Sequence, residues 1–426
     1  MIGSTSSSVR IQHQAATLSA AVLLTMALVS FRPYLPAENV SAARGGDIVN
    51  QLGFGSLGAL ALLSLLCLAN PATIARLPSF GWTLLIGLVI FSTSHTGDPS
   101  TALRTFAFTG IAVFVVATSL VLPRSADDFS TVLCTVAFIV LGLSYAGLVL
   151  FPDLAKHYEL ADQIGLWRGL FSHKNIAGPV MAMFTFAGLY LMRRGWWWSG
   201  LIIGVAALIF LLNTGSKTTV ALVPLAVLAV TLPSLVGMRL LAPVLSLLIL
   251  VVIAVVTIGT VFFEPVREFV LANFEDPTYT GRVTVWEYGV ERLALHPWQG
   301  FGFDNFWGTS NALDVPLPFD MEWDVRNVVH GHNGYLDIAM TMGIPALIVF
   351  LAVCIVTPMV DYLRAPMLRE NVLLADLFLK TLLFTSVNGL LESFFFRRAD
   401  PVWLIFVFAV LGLRLVARTR IPTRTA

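Results

Sequence analysis

Charge is scarce in this sequence. Of 426 residues, 26 are Lys or Arg and 25 are Asp or Glu, so 12% are charged, whereas an ordinary soluble domain carries about 25%. Together with a mean hydropathy of +0.82, that shortage argues against a soluble globule and for a polytopic helical membrane protein. The formal net charge of +1 supplies no basic face for nucleic acid, and its sidedness matters more than its sum. Cysteine is scarce too. Cys67, Cys134 and Cys354 all sit within apolar runs, so they read as small buried hydrophobes in preference to a disulfide framework or metal ligands. No cleavable signal is evident: the first apolar run, Ala15 to Phe31, lacks a small-residue cleavage site and is expected to stay as a span. Repeats, heptads and low-complexity tracts are lacking, and neither terminus carries a recognisable soluble domain.

What the chain has instead is long apolar runs. About twelve can cross a bilayer, near 14–31, 52–69, 79–94, 103–122, 129–151, 176–192, 196–212, 218–236, 240–262, 335–360, 373–391 and 401–417. The expected fold is therefore all-α, a polytopic transmembrane bundle of about 12 spans forming a single integral-membrane domain over 1–426. Arg10, Arg76, Arg124, Arg193, Arg194, Arg239, Arg364, Arg369, Arg418, Arg420 and Arg424 fall in alternate short connections together with both termini, which the positive-inside rule makes cytoplasmic. Arg32, Arg44 and Arg104 fall in the opposite set. Trp196, Trp197 and Trp198 beside Arg193 and Arg194 read as an interfacial anchor. The two longest loops, 152–175 and 263–334, face outward in this topology and are expected to cap the active site, the second with short helices of its own.

Several stretches offer chemistry. The run Trp167-Arg168-Gly169-Leu170-Phe171-Ser172-His173-Lys174-Asn175 gathers basic groups where a helix should begin, and free N–H groups there favour an anion such as phosphate. The alternative is an interfacial anchor with Asn175 as the cap. Asn213-Thr214-Gly215-Ser216-Lys217-Thr218-Thr219 lacks the glycine spacing of a nucleotide-binding loop. Lys217 at its helix start either meets an anion or snorkels to the interface.

In the long loop, Asp276-Pro277-Thr278-Tyr279-Thr280-Gly281-Arg282 reads as a turn feeding a helix, with Val283, Trp286, Val290 and Leu293 as its packing stripe. That helix should stop near His296-Pro297, before a tight bend at Gly300-Phe301-Gly302. Arg282 can bind phosphate oxygens in a bidentate way. The loop closes on His330-Gly331-His332-Asn333, with Asn333 as the expected cap of the next helix and Asp337 in its first turn. Imidazole there can take a proton from a hydroxyl. The rival is a metal site built from His330, His332 and an Asp. Farther on, Glu392, Arg397, Arg398 and Asp400 form a last outward cluster, either anion-binding or self-satisfied as ion pairs.

Together these stretches resemble the O-antigen ligase and polymerase family of bacterial polysaccharide assembly, especially its exopolysaccharide-polymerase-like branch. The likeness rests on Gly169 to Asn175, Thr214 to Thr218, Thr280-Gly281-Arg282 through Trp286 to Pro297 and Gly300-Phe301-Gly302, and His332-Asn333 with Gly343 downstream. One departure is Ala346, where the family's ligases usually carry a second glycine. The resemblance implies a metal-independent, inverting glycosyltransferase of the bacterial inner membrane, without cofactor, working at the periplasmic face on an undecaprenyl-diphosphate-linked oligosaccharide. The acceptor would be another glycan, as in repeat-unit polymerisation, or lipid A core, as in a ligase. Membrane lipids are implied partners and a chain-length regulator is a candidate one. His332 takes the role of catalytic base, while Lys217 and Arg282 hold the diphosphate, with Arg168, His173 and Lys174 as further candidates. Asn175, His330, Asn333, Trp286, Arg397 and Arg398 would support them, and Asp304, Asp320 and Asp324 are candidates for orienting sugar hydroxyls. Transport of the same lipid-linked sugar is the rival from another class, because Lys380 lies inside an apolar run.

Overall fold

The computed structural model describes residues 2–35, 48–158, 163–313 and 328–423. Among the described residues the architecture is all-α, with one isolated bridge between Lys156 and Trp167. In chain order the helices that matter below are α1 (Ile2–Val29), α2 (Ile48–Leu68), α3 (Phe80–Thr93), α4 (Pro99–Val121), α5 (Ala126–Leu150), α6 (Lys174–Arg194) and α7 (Trp197–Asn213). Then come α8 (Lys217–Leu235), α9 (Leu241–Val256), α10 (Glu264–Asn273), α11 (Arg282–Leu293), α12 (Gly334–Met342), α13 (Ile344–Arg364), α14 (Arg369–Asn388) and α15 (Pro401–Arg418). Among the described residues eight helices, counting Arg10–Val29 within α1, are long and apolar enough to cross a membrane, and α3, α7 and α9 are shorter apolar helices. The chain is a multi-pass membrane protein, and each apolar run read from the sequence lies on helix.

The bundle is organised around α14. Residues 373–388 are all buried, because α6, α8, α9, α13 and α15 pack around it. A helix enclosed by protein and shielded from lipid can carry polar groups that a lipid-facing one cannot. Asp376 accordingly pairs with Arg193 at 2.6 Å and accepts from the Tyr362 hydroxyl at 3.0 Å, while Lys380 Nζ donates to Thr231 Oγ1 at 3.2 Å. Beside it α6 and α7 meet backbone to backbone: a Cβ on Gly188 would lie 2.7 Å from the Gly200 carbonyl oxygen and the Gly204 nitrogen. Small residues permit this approach, and larger ones would force the pair apart. Two cysteines, Cys134 and Cys354, are buried as expected, but Cys67 is exposed. Its helix, α2, turns most of its apolar surface outward, so burial by protein was the wrong expectation there.

Helix polarity fixes two ends. α6 begins, α14 finishes and α15 begins at one end, which holds the described parts of the loops 152–175 and 263–334. At the other end Arg194 binds Asp127 at 2.7 Å and Glu370 at 2.8 Å, Arg418 binds Asp361 at 3.0 Å, and Arg239 donates to the Ala365 and Tyr362 carbonyls. The arginines of the alternate connections thus gather opposite the candidate site.

Candidate active site

The site forms where three distant segments meet around one carboxylate, Glu392, in the turn that follows α14. Its Oε1 accepts from Asn175 Nδ2 and from Arg282, each at 2.7 Å, and its Oε2 lies 3.4 Å from His332 Nδ1. The last contact is close but outside hydrogen-bond geometry, and His332 Nδ1 is otherwise without a partner.

Each arm is held for a local reason. Asn175 projects from the first turn of α6, whose N-cap is His173: the ring Nδ1 accepts the Asn175 N–H at 3.1 Å. That removes the alternative reading of Asn175 as the cap, since its side chain donates to Glu392 instead. The Lys174 N–H goes to His157 Nε2 at 3.0 Å, and the His157 and His173 rings meet edge to face. Arg168 is buried and donates to the Leu154 and Ser172 carbonyls, so it shapes the loop that leads into α6. Arg282 opens α11, as the sequence suggests. Before it Tyr279, Thr280 and Gly281 all have positive φ, a tight turn stabilised by Asp276, whose carboxylate accepts from the N–H and hydroxyl groups of Thr278 and Thr280.

The His330 to Asn333 loop is clamped on three sides. Trp286 Nε1 donates to the Gly331 carbonyl at 3.0 Å, the Gly331 N–H donates to Asp337 at 3.1 Å, and Trp307 Nε1 donates to the same carboxylate at 2.8 Å. Asn333 caps α12 through the Tyr335 and Leu336 N–H groups, both at 3.1 Å. Held this way, His332 adopts φ 48°, a left-handed conformation that a non-glycine residue occupies at a cost of about 1–3 kcal/mol and that recurs at functional sites. The His330 ring lies tilted against the His332 ring, centroids 4.2 Å apart, and its Nδ1 accepts the His332 N–H at 3.3 Å.

Electrostatics divide these groups. Burial, reinforced by Arg397, His332 and Arg282, pushes the His330 imidazole well below its ordinary value. Burial and the neighbouring His157 bring His173 down to about 4. Both rings are neutral near pH 7. Burial alone would raise Glu392, but His332 and Arg282 outweigh it and hold the carboxyl below its usual range. Asp400, raised to about 6 by burial, caps α15 through the Val402 N–H at 2.8 Å.

Other sequence candidates sit near but apart. Lys217 is exposed at the first position of α8, with no ion pair or side-chain hydrogen bond among the described residues. Two residues on, Thr219 packs on Gly178 of α6, so Lys217 shares the site's end of the bundle. Arg397 donates to the Ser393 carbonyl, and Arg398 is exposed. Asp304 accepts from Thr105 Oγ1 at 2.9 Å, while Asp320 and Asp324 lie outside the described residues. Ligand atoms of His330, His332 and Glu392 lie within 4.8 Å of one another and are the group best placed to hold a metal ion. Asp337 is not part of it. Arg282 already occupies Oε1 of the Glu392 carboxylate, and Oε2 faces His332.

Sequence reasoning placed Glu392 in a terminal cluster and missed its central position. Its only sequence signal was an acid between two apolar runs.

Comparison with known proteins takes in part of this region. Residues 202–351 match the model of the O-antigen ligase family, a segment that includes Lys217, Arg282, His330 and His332 and leaves out Asn175 and Glu392. Over 288 residues, 65% of its length, the chain is 25% identical to the exopolysaccharide production protein ExoQ of Rhizobium meliloti (strain 1021) and spans 63% of that relative's length.

Proposed function

We propose, with an O-antigen ligase/polymerase-like family as the premise, that this chain is a glycosyltransferase using a sugar carried on undecaprenyl diphosphate. The convergence of Arg282 and His332 on Glu392 supports this reading: a fixed cation and an imidazole, 50 residues apart in sequence, share one carboxylate. An acceptor hydroxyl oxygen attacks the anomeric carbon, the bond from that carbon to the phosphate oxygen breaks, and undecaprenyl diphosphate departs. The hydroxyl proton passes to His332 Nε2, with Nδ1–H turned to Glu392, which steadies the imidazolium. Lys217 holds the donor diphosphate and Arg282 takes up the charge that grows on it as it leaves, a task that needs no metal. Such a single displacement inverts the anomeric centre. By the positive-inside reading the reaction lies at the periplasmic face of the inner membrane, with both termini cytoplasmic.

The acceptor separates two forms of this activity. Likeness to an exopolysaccharide production protein and the Ala346 departure favour repeat-unit polymerisation, and the family description favours ligation to lipid A core. Chain length in a deletion strain decides between them: loss of polymer with the core still capped supports polymerase, whereas uncapped core with polymer left on the carrier supports ligase. The activity itself is tested with purified protein and a lipid-linked repeat. Glycosidic bonds should form with wild type and stop with His332→Ala in a folded protein. Bond formation by that variant at the wild-type rate would remove His332 as the base, and no bond formation by wild type would leave transport as the better reading.

A further inference from the structure

The opposite end of the bundle carries a cavity that the glycosyl-transfer reading does not use. It has a volume of about 280 Å³ and is bounded by the turn after α2, the junction of α4 with α5, the first turns of α14 and the segment beyond α15. Three arginines line it, Arg76, Arg124 and Arg420, and among the described residues no carboxylate does. Of the two acids that follow Arg124, Asp127 pairs with Arg194 at 2.7 Å, and Asp128 accepts the Arg124 backbone N–H at 3.2 Å. Arg76 donates to Thr419 Oγ1 and Arg124 to the Leu68 carbonyl, both at 3.0 Å, yet Arg124 Nε is buried with no hydrogen-bond partner. A buried guanidinium N–H without an acceptor is costly, and an anion would satisfy it.

The cavity is built, not a crevice between loose ends. Asn371 accepts the Ile421 N–H at 3.1 Å and donates to the Val416 and Thr419 carbonyls, and the Ala126 N–H donates to the Pro422 carbonyl at 2.9 Å. These bonds lay the segment after α15 along one wall, which brings Arg420 to the other two arginines. The remaining lining is polar at Asn70, Thr73, Ser125 and Thr419 and apolar along its floor, where Phe129 and Phe378 meet edge to face at 5.8 Å with Leu374 beside them. Three cations over an apolar floor select a ligand with a phosphate at one end and hydrocarbon at the other.

We infer that this cavity binds a phosphate ester carried on a lipid, an anionic phospholipid of the leaflet at this end of the bundle. The phosphate sits among Arg76, Arg124 and Arg420 and an acyl chain runs along Phe129 and Phe378. A free phosphate shares the headgroup chemistry and lacks the tail.

Native mass spectrometry of the full chain, released from nanodiscs of phosphatidylcholine containing a minor share of phosphatidylglycerol, tests the assignment. Wild type should retain phosphatidylglycerol in preference to phosphatidylcholine. Arg420→Gln, in an exposed residue past the last helix, should weaken retention by about fivefold, the worth of one basic side chain beside an anionic lipid, and Arg420→Lys should restore most of it. Leu374→Phe, which narrows the floor without touching charge, should also reduce retention. Equal retention of both lipids, or unchanged retention by Arg420→Gln, overturns the inference. Displacement of the lipid by millimolar inorganic phosphate assigns the cavity to a soluble phosphate and overturns the lipid source.

Discussion

Replacing Glu392 by Gln preserves the shape of the carboxylate and removes its charge. In the proposed transition state His332 becomes an imidazolium 3.4 Å from Glu392 Oε2. Coulomb's law at that separation gives about 5 kcal/mol at an effective dielectric of about 20 and about 1.2 kcal/mol in water. The two side chains are 26% and 16% exposed, so the true value lies between these limits, near 3 kcal/mol, and Glu392→Gln should lower kcat about 10²-fold. The donor KM should move differently. Wild-type Glu392 competes with phosphate for Arg282 at 2.7 Å, and the neutral amide competes less, so KM should fall or stay level. The assay is glycan formation from a purified lipid-linked repeat, with donor concentration varied and folding checked by thermal melting. A kcat within twofold of wild type, or a loss of rate accompanied by a raised KM and a lowered Tm, would refute the reasoning and leave Glu392 a structural ion-pair partner.

Lys217→Ala should raise the donor KM with little change in kcat, whereas Arg282→Ala should lower kcat in the same assay. A Cβ at Gly331 would collide with Asp337 Oδ1, so Gly331→Ala should cost about 1–3 kcal/mol, read as a lowered Tm, and an unchanged Tm would show that the loop has room. Acidification should destabilise the fold. His173 is held near 4 and His330 well below 6.5, while the unfolded chain protonates both near 6.5, so the unfolded state binds more protons and stability falls as pH drops from about 6.5 toward 4. The depressed Glu392 acts in the same direction at lower pH, and Asp400, raised to about 6, offsets part of the loss. A Tm at about pH 5 equal to or above that at about pH 7.5 would contradict this balance.

The helices were legible because their signal is local. An apolar run of the right length specifies a helix without reference to any other part of the chain, and the Thr280-Gly281-Arg282 turn and the Asn333 cap are likewise set by neighbours in sequence. The exposed Cys67 shows the limit: apolar periodicity does not say whether a helix meets protein or lipid. Glu392 shows it more sharply. The identity of that acid is in the sequence, but its meaning depends on α6, α11 and the His330–Asn333 loop arriving from up to 217 residues away, and no spacing encodes that meeting. Arg168 fails in the same way, since a guanidinium used on backbone carbonyls reads in sequence like one waiting for phosphate.

A carboxylate at the heart of an anion site repels the ligand, so its presence needs a physical reason. If binding alone mattered, Arg282 facing an open cavity would serve better. Glu392 instead neutralises Arg282 before substrate arrives and faces His332 throughout, so it weakens ground-state attraction for phosphate while favouring the proton that appears on imidazole during attack. Interactions that strengthen only as the reaction proceeds raise kcat, whereas uniform attraction only tightens binding. Lys217, exposed and not paired with an acid among the described residues, is in the proposed reaction the cation that attracts the incoming diphosphate from the start. On the same proposal Arg282 is released toward the leaving group as Glu392 turns its charge to the imidazolium. The separation of capture from catalysis between two cations follows from where the one central acid is placed.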